Sequence, residues 1–200
     1  MNQYFIENKN VLTNERKISA EILGQTFIFL TNNGLFSPDR FDYASRLLVE
    51  NIPPLSGSLL DLGCGYGAIG ITLASLYNIN LTMLDINNTA LEYAKKNIVL
   101  NGVQAEIILS DGFENVCNIF DTIVLNPPIH AGKSVMYNLY EQSKSYLAPN
   151  GRFYIVIQKK HGAKTSIERL NMIYDICDII YKKNGFFVLE AVKKDSQQSG

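Results

Sequence analysis

From residue 58 onward the chain alternates short apolar runs with longer segments whose apolar positions recur at helical spacing. The runs at 58–62, 81–85, 105–109, 122–126 and 152–158 have strand length and bulky apolar composition. Between and after them, 68–77, 89–101, 134–147 and 164–173 read as amphipathic helices, with Pro149-Asn150-Gly151 closing the third. Strands alternating with helices of this length predict a parallel sheet covered on both faces. The end of the chain breaks the pattern. Runs 176–182 and 186–192 are joined only by Lys183-Asn184-Gly185, so they must pair antiparallel. Upstream, residues 17–31 alternate loosely around Leu23-Gly24-Gln25, a hairpin signal that runs into the apolar stretch Thr26-Phe27-Ile28-Phe29-Leu30. A loop from Asn32 to Pro38 then leads to a helix at 43–51, which Pro53-Pro54 ends. The expected architecture is α/β: a seven-stranded, mostly parallel sheet with an antiparallel terminal hairpin and helices on both faces. A prelude, 1–56, should pack on a core of 57–194, and 195–200 should be a disordered tail.

Composition narrows the class. A chain of 200 residues, 46% of them hydrophobic, suffices for one domain with a full core. Cys64, Cys117 and Cys177 are odd in number, widely spaced and form no CxxC pair, which speaks for a reducing, cytoplasmic setting and against a disulfide framework. No apolar run reaches the length of a membrane span, and Met1-Asn2-Gln3-Tyr4 lacks the shape of a signal peptide. With 18 basic and 19 acidic residues, the chain lacks the bias of a non-specific nucleic-acid binder, although a local basic face would suffice for RNA.

Candidate chemistry begins at Asp61-Leu62-Gly63-Cys64-Gly65-Tyr66-Gly67, a glycine-rich turn between the first core strand and its helix. Glycines there let the backbone turn sharply and a ligand approach without Cβ clashes. Gly65, Gly67 and Gly70 fit the dinucleotide pattern GxGxxG, a weak signal alone. Asp61 sharpens it: a carboxylate there would repel a diphosphate but attract the ammonium of a methionine moiety. Cys64 reads as a small packing residue within this loop. Asp85 ends the next strand, where it could accept both hydroxyls of a ribose or cap the following helix, a role open to Asn87 as well. Ile86 offers an apolar surface to an adenine face. Asp111-Gly112 supplies a carboxylate for an adenine amine, or simply a turn at a strand end.

Asn126-Pro127-Pro128-Ile129, at the end of the fourth core strand, carries the most specific chemistry. Two consecutive prolines stiffen the backbone and hold carbonyls in fixed directions. The Asn126 side-chain oxygen and the Pro127 carbonyl would form two acceptors aimed at one spot. An amino group on a planar base or amide fits there. Gripping its two N–H bonds frees the nitrogen lone pair for attack on a methyl sulfonium, with no strong base needed beforehand. The alternative is an ordinary strand-to-loop break.

A rival signal is Tyr140-Glu141-Gln142-Ser143-Lys144, the YxxxK pair of NAD(P)-dependent short-chain dehydrogenases. No suitably placed serine precedes it, and it leaves Asp61 and Asn126-Pro127-Pro128 unexplained. His130 and His161, the only histidines, lack the partners of a metal site, so no metal is expected. His130, Lys133, Arg40, Lys159 and Lys160 are candidates for a phosphate-binding rim, because ligands of open parallel sheets bind beyond the carboxyl ends of the strands. Lysines at strand ends also serve as plain solubilising groups, as is expected of Lys182-Lys183 and Lys193-Lys194.

In order and spacing, Asp61-Leu62-Gly63-Cys64-Gly65-Tyr66-Gly67, Asp85, Asp111-Gly112 and Asn126-Pro127-Pro128 resemble the motifs of Rossmann-like class I methyltransferases that act on planar-conjugated nitrogen. The longer string Asn126-Pro127-Pro128-Ile129-His130-Ala131-Gly132-Lys133 looks like the methyltransferase small domain branch, and Gly34-Leu35-Phe36-Ser37 resembles a segment of that branch that closes over the cofactor. The resemblance spans about Tyr4 to Val192. It implies S-adenosylmethionine as methyl donor, Phe36 against the cofactor, and a guanine N2 amine in small-subunit ribosomal RNA as first-choice acceptor. Adenine N6, protein glutamine N5 and a non-catalytic S-adenosylmethionine-binding assembly factor are the alternatives. Two departures stand out. Relatives often carry an aromatic where Ile129 stands, which forfeits part of the ~1–3 kcal/mol that base stacking gives. Ribosomal relatives also tend to carry a preceding RNA-binding domain, so capture by a homodimer or an assembling ribosomal particle is expected, with no membrane partner.

Overall fold

Leu23 and Gly24 both take positive φ, 48° and 78°, the two-residue turn whose twist suits a tight hairpin. They join β1 (Glu15–Ile22) to β2 (Gln25–Asn32) in register Ile22 with Gln25, as a separate two-stranded sheet. The computed structural model describes residues 15–195; the rest of the expected tail, beyond Asp195, and the first fourteen residues lie outside it. Asp42 caps α1 (Tyr43–Asn51) by accepting from the Ser45 N–H.

The core then alternates as the hydrophobic pattern predicts. In order come β3 (Gly57–Leu62), α2 (Ala68–Leu76), β4 (Ile79–Asp85), α3 (Asn88–Leu100), β5 (Ala105–Leu109), β6 (Phe120–Leu125) and α4 (Lys133–Ser145). After them follow β7 (Leu147–Gln158), α5 (Ala163–Ile173), β8 (Ile176–Lys183) and β9 (Phe186–Val192). Strand order is β5-β4-β3-β6-β7-β9-β8, parallel through β7 and antiparallel where β9 pairs with β7 and with β8. Neighbouring residues along each buried strand face opposite layers, as a period of two demands. Leu59 joins the layer formed with α1, α2, α3 and the hairpin, and Leu60 joins the layer under α4 and α5. Residues 15–56 are therefore continuous with the core: Phe27, Phe29, Leu47 and Leu48 share one buried cluster with Leu59, Leu81 and Val124.

The hairpin is held on this layer by asparagines. Asn97, fully buried on α3, accepts from Leu30 N at 2.7 Å and donates to Leu30 O and to Tyr66 O, both at 2.9 Å. One turn on, Asn101 accepts from Ile28 N at 3.3 Å and donates to Ile28 O at 2.8 Å. Two amide side chains thus act as the missing neighbour of an edge strand.

One boundary differs from expectation. Pro149-Asn150-Gly151 does not close a helix; α4 stops at Ser145, and β7 already pairs through Leu147 with Phe120. The register shifts there between Phe120 and Thr122, and Asn150 turns to φ 62°, so the proline sits at an irregularity that needs no N–H from it.

Candidate active site

Because five strands run parallel, the loops after them meet at one sheet edge, and the register says how closely. Leu62 of β3 pairs with Leu84 of β4 and with Leu125 of β6, so Gly63, Asp85 and Asn126 emerge side by side. Asp85 pairs with Leu109, which brings Ser110 and Asp111 next, and Leu125 pairs with Ile155, four residues before Lys159.

The glycine loop is built for approach. Gly63, Gly65 and Gly67 all have positive φ, 70°, 56° and 91°, a region other residues enter at a cost. A Cβ on Gly67 would also come within 2.6 Å of Ile71 Cδ1. The loop is tied to its neighbours by Cys64 N to Leu84 O at 2.9 Å and by Gly65 N to Asp85 Oδ2 at 2.8 Å. Cys64 is buried, and burial raises its thiol well above the ordinary range, in keeping with a packing role.

The two acids divide differently from the sequence reading. Asp61 is 1% exposed, and its Oδ2 accepts from Gly70 N at 2.7 Å. It supplies, from the preceding strand, the cap that Gly67 cannot give α2. A ligand ammonium would meet its field rather than a solvent-facing carboxylate. Burial pushes its carboxyl up to about 7, against the pull of the Gly70 N–H and with a further push from the Asp85 charge. Asp85 is not the cap of α3; Asn87 is, accepting from Thr89 N and Ala90 N. The Asp85 oxygens instead take backbone N–H bonds, Oδ2 from Gly65 at 2.8 Å and Oδ1 from Asn87 at 2.9 Å. Its carboxyl is raised too, by burial above all, although those N–H bonds pull the other way.

Asn126 follows β6 directly, and its Nδ2 donates to Ser45 Oγ at 3.0 Å and to Asp42 Oδ2 at 3.1 Å. Pro128 O accepts from Ala131 N at 3.0 Å within a short 3-10 turn, Ile129–Ala131. Pro127 O takes no such bond among the described residues, so it is the prolyl carbonyl available beside Asn126. Asp42 and Ser45 were not singled out from sequence. Their Asp-x-x-Ser spacing signals a helix cap, but nothing local says that the cap also touches Asn126.

Lys133, Lys160, His130 and His161 lie on the flank after β6 and β7. Lys133 Cε lies 3.9 Å from where a Gly162 Cβ would be. His161 is lowered by partial burial and by the neighbouring Lys160 and His130 charges, which puts both histidines in one patch. Lys159 N donates to Gly185 O at 2.7 Å, so the β8–β9 turn with Lys182-Lys183 adjoins the same flank. Arg40 sits two residues before Asp42, in the exposed loop that carries Phe36, itself 62% exposed. Ile86 is 37% exposed, and Asp111 and Gly112 follow β5 with Gly112 at φ 53°. The rival pair fails on position: Tyr140 is fully buried under α5 with its hydroxyl on Ser166, and Lys144 is occupied by Ile173 O and Asp175.

Among the described residues no helix is long and apolar enough to cross a membrane. A family model, methyltransferase small domain, matches residues 26–190. The chain is 38% identical over 196 residues to the uncharacterized protein YbxB of Bacillus subtilis, covering 95% of this chain and 98% of that one. It is 33% identical to the ribosomal RNA small subunit methyltransferase C of Vibrio cholerae, over 80% of this chain and 48% of that one. Among solved structures, the T. thermophilus 16S rRNA N2 G1207 methyltransferase (RsmC), in complex with AdoMet and guanosine, superposes with a TM-score of 0.82 at 28% identity, over 90% of this chain and 51% of that one. The chain thus spans about half the length of these named methyltransferases. With the glycine loop, Asp85 and Asn126-Pro127-Pro128 meeting at one sheet edge, it belongs to the methyltransferase small domain family.

Proposed function

We propose that this protein transfers a methyl group from S-adenosylmethionine to the exocyclic N2 amine of a guanine in small-subunit ribosomal RNA. The observation that carries this reading is the register of β3 with β6, in which the glycine loop and Asn126 are neighbours, so donor and acceptor groups meet without further movement of the sheet. The kinship with RsmC, whose structure holds AdoMet and guanosine, points the same way.

S-adenosylmethionine supplies an electrophilic methyl group on a positively charged sulfur. The chain's residues fit such a ligand. Asp61 and Asp85 are both costly to ionise, so a cation at the loop relieves their mutual repulsion and the cost of burial. Asp85 holds the ribose, Ile86 lies against the adenine, Asp111-Gly112 meets its amine, and Gly63, Cys64, Gly65 and Gly67 line the approach under Phe36. Asn126 Oδ1 and Pro127 O accept the two N–H bonds of the target amine, while Pro128 and Ile129 stiffen the loop and press on the base. As the new N–C bond forms, the S–C bond would break with its electron pair left on sulfur, and the positive charge that appears on the nitrogen would be stabilised by acceptors already in place until its extra proton passes to water. His130, Lys133, Arg40, Lys159 and Lys160 hold flanking phosphates; such contacts set register, and the acceptor pair selects an amine-bearing base. The setting is cytoplasmic, with RNA presented free or within a ribosomal particle to a monomer or homodimer.

The test incubates the protein with labelled donor and methylation-naive ribosomal RNA, free and within 30S particles, followed by digestion to nucleosides. Label in N2-methylguanosine is expected. Label in an adenosine or in a protein fraction alone overturns the substrate assignment.

A further inference from the structure

Asn126 works as an acceptor only if its amide is turned the right way, and the two ends of a carboxamide have nearly the same shape. An asparagine free to flip would present NH2 to the incoming amine half the time. Such a group repels the N–H bonds it is meant to grip. The hydrogen bonds around Asn126 permit one orientation. Ser45 Oγ lies 3.1 Å from Asp42 Oδ2 and donates to it, because an ionised carboxylate can only accept. Its one proton spent, Ser45 Oγ must accept from Asn126 at 3.0 Å, as Asp42 Oδ2 does at 3.1 Å. Both contacts therefore require the Asn126 nitrogen, and its oxygen is left facing away from α1.

We infer that Asp42 and Ser45 are positioning residues for methyl transfer, locking the Asn126 amide with its oxygen towards the substrate amine. This rests on the proposed reaction and deepens it. The anchor is itself rigid: Asp42 Oδ2 also takes the Ser45 N–H at 2.8 Å, so the helix cap and the orientation of the acceptor are one network. Asp42 lies 84 residues from Asn126 in sequence, at the end of the loop that carries Phe36 and Arg40. The residue that orients the acceptor and the residues expected to cover donor and phosphate thus share a single short segment.

The test separates orientation from folding. Glycine is well tolerated at a helix N-cap, so Asp42→Gly combined with Ser45→Ala removes both anchors while sparing α1. Single-turnover methyl transfer at saturating donor should fall by ~10- to 100-fold, the scale of a misplaced catalytic group. Donor affinity should stay within about twofold and the thermal midpoint close to that of the parent. Asp42→Asn, which keeps an acceptor oxygen and the cap, should restore most of the rate. Asn126→Ala is the reference. If it loses its rate while the double variant keeps the parental one, or if Asp42→Asn falls as far as the double variant, orientation by these residues is wrong and the proposed reaction stands. If Asn126→Ala also keeps its rate, Asn126 is not the acceptor and both readings fall.

Discussion

Replacing Asn97 by alanine should cost this protein a large share of its stability, although the residue touches neither donor nor substrate. Asn97 is fully buried and satisfies three backbone groups, the N–H and C=O of Leu30 and the C=O of Tyr66. Truncation strands all three. A buried backbone group left without a partner costs ~1–3 kcal/mol, and Leu30 is only partly buried, so water can reach some of what is lost. An expected loss of roughly 3–5 kcal/mol follows, against the 5–15 kcal/mol that folded domains have in total. Asn97→Asp should do no better, since a carboxylate faces two carbonyls with nothing to donate. Asn101→Ala, at a more exposed position with two contacts to Ile28, should cost only ~1–2 kcal/mol. Equilibrium urea unfolding of the three variants gives the comparison, and hydrogen exchange at the Leu30 amide reports undocking of the hairpin. Because Tyr66 lies in the glycine loop, donor affinity of Asn97→Ala should drop as well. A variant within 1 kcal/mol of the parent, with Leu30 still protected, would show that the apolar contacts of Phe27 and Phe29 hold the hairpin unaided.

Four further outcomes are expected. Asp61 titrates near 7 when folded against an ordinary value of 3.8, so the unfolded chain releases its proton first and stability should fall as pH rises from about 4 to about 7. Asp61→Asn keeps an acceptor for Gly70 and should flatten that slope, whose full depth is at most ~4 kcal/mol; denaturation midpoints across the window check it. Asp85→Ala removes two charge-assisted hydrogen bonds, worth ~1.5–3 kcal/mol each before compensation by water, and calorimetry should show weaker S-adenosylmethionine binding. Asn126→Ala should slow single-turnover transfer by at least ~100-fold with donor affinity nearly intact. Lys159→Glu with Lys160→Glu should weaken RNA binding and lower its salt slope by about one unit per lost contact, with donor affinity unchanged; a normal slope would make these lysines a solvated strand end.

What the sequence determined by itself was local or periodic. The alternation of strand-length and helix-length runs from residue 58 is a property of neighbouring positions, and so is the shortness of the Lys183-Asn184-Gly185 connection, which permits only an antiparallel pair. The glycines of the loop announce positive φ because other residues avoid it, and all three take it. The parallel sheet then carried Gly63, Asp85, Asp111 and Asn126 to one edge, since parallel strands end on the same side.

Pairings between distant residues were decided only by the tertiary structure. Asp61 reads in the sequence as a ligand for an ammonium, and it is also the cap of α2, because the helix turns back over the strand that bears it. Asn97 and Asn101 read as polar positions on an amphipathic helix, and they complete the edge of β2 from 67 and 73 residues away. Pro149-Asn150-Gly151 has every local mark of a stop, yet the pairings on either side of it, Leu147 with Phe120 and Arg152 with Thr122, draw it into β7. Asp42 and Ser45 have the spacing of a cap and nothing more until α1 packs beside β6. Local signals come from backbone preferences that each residue expresses alone, whereas a buried donor finds its acceptor only after the hydrophobic layers have closed and water has left.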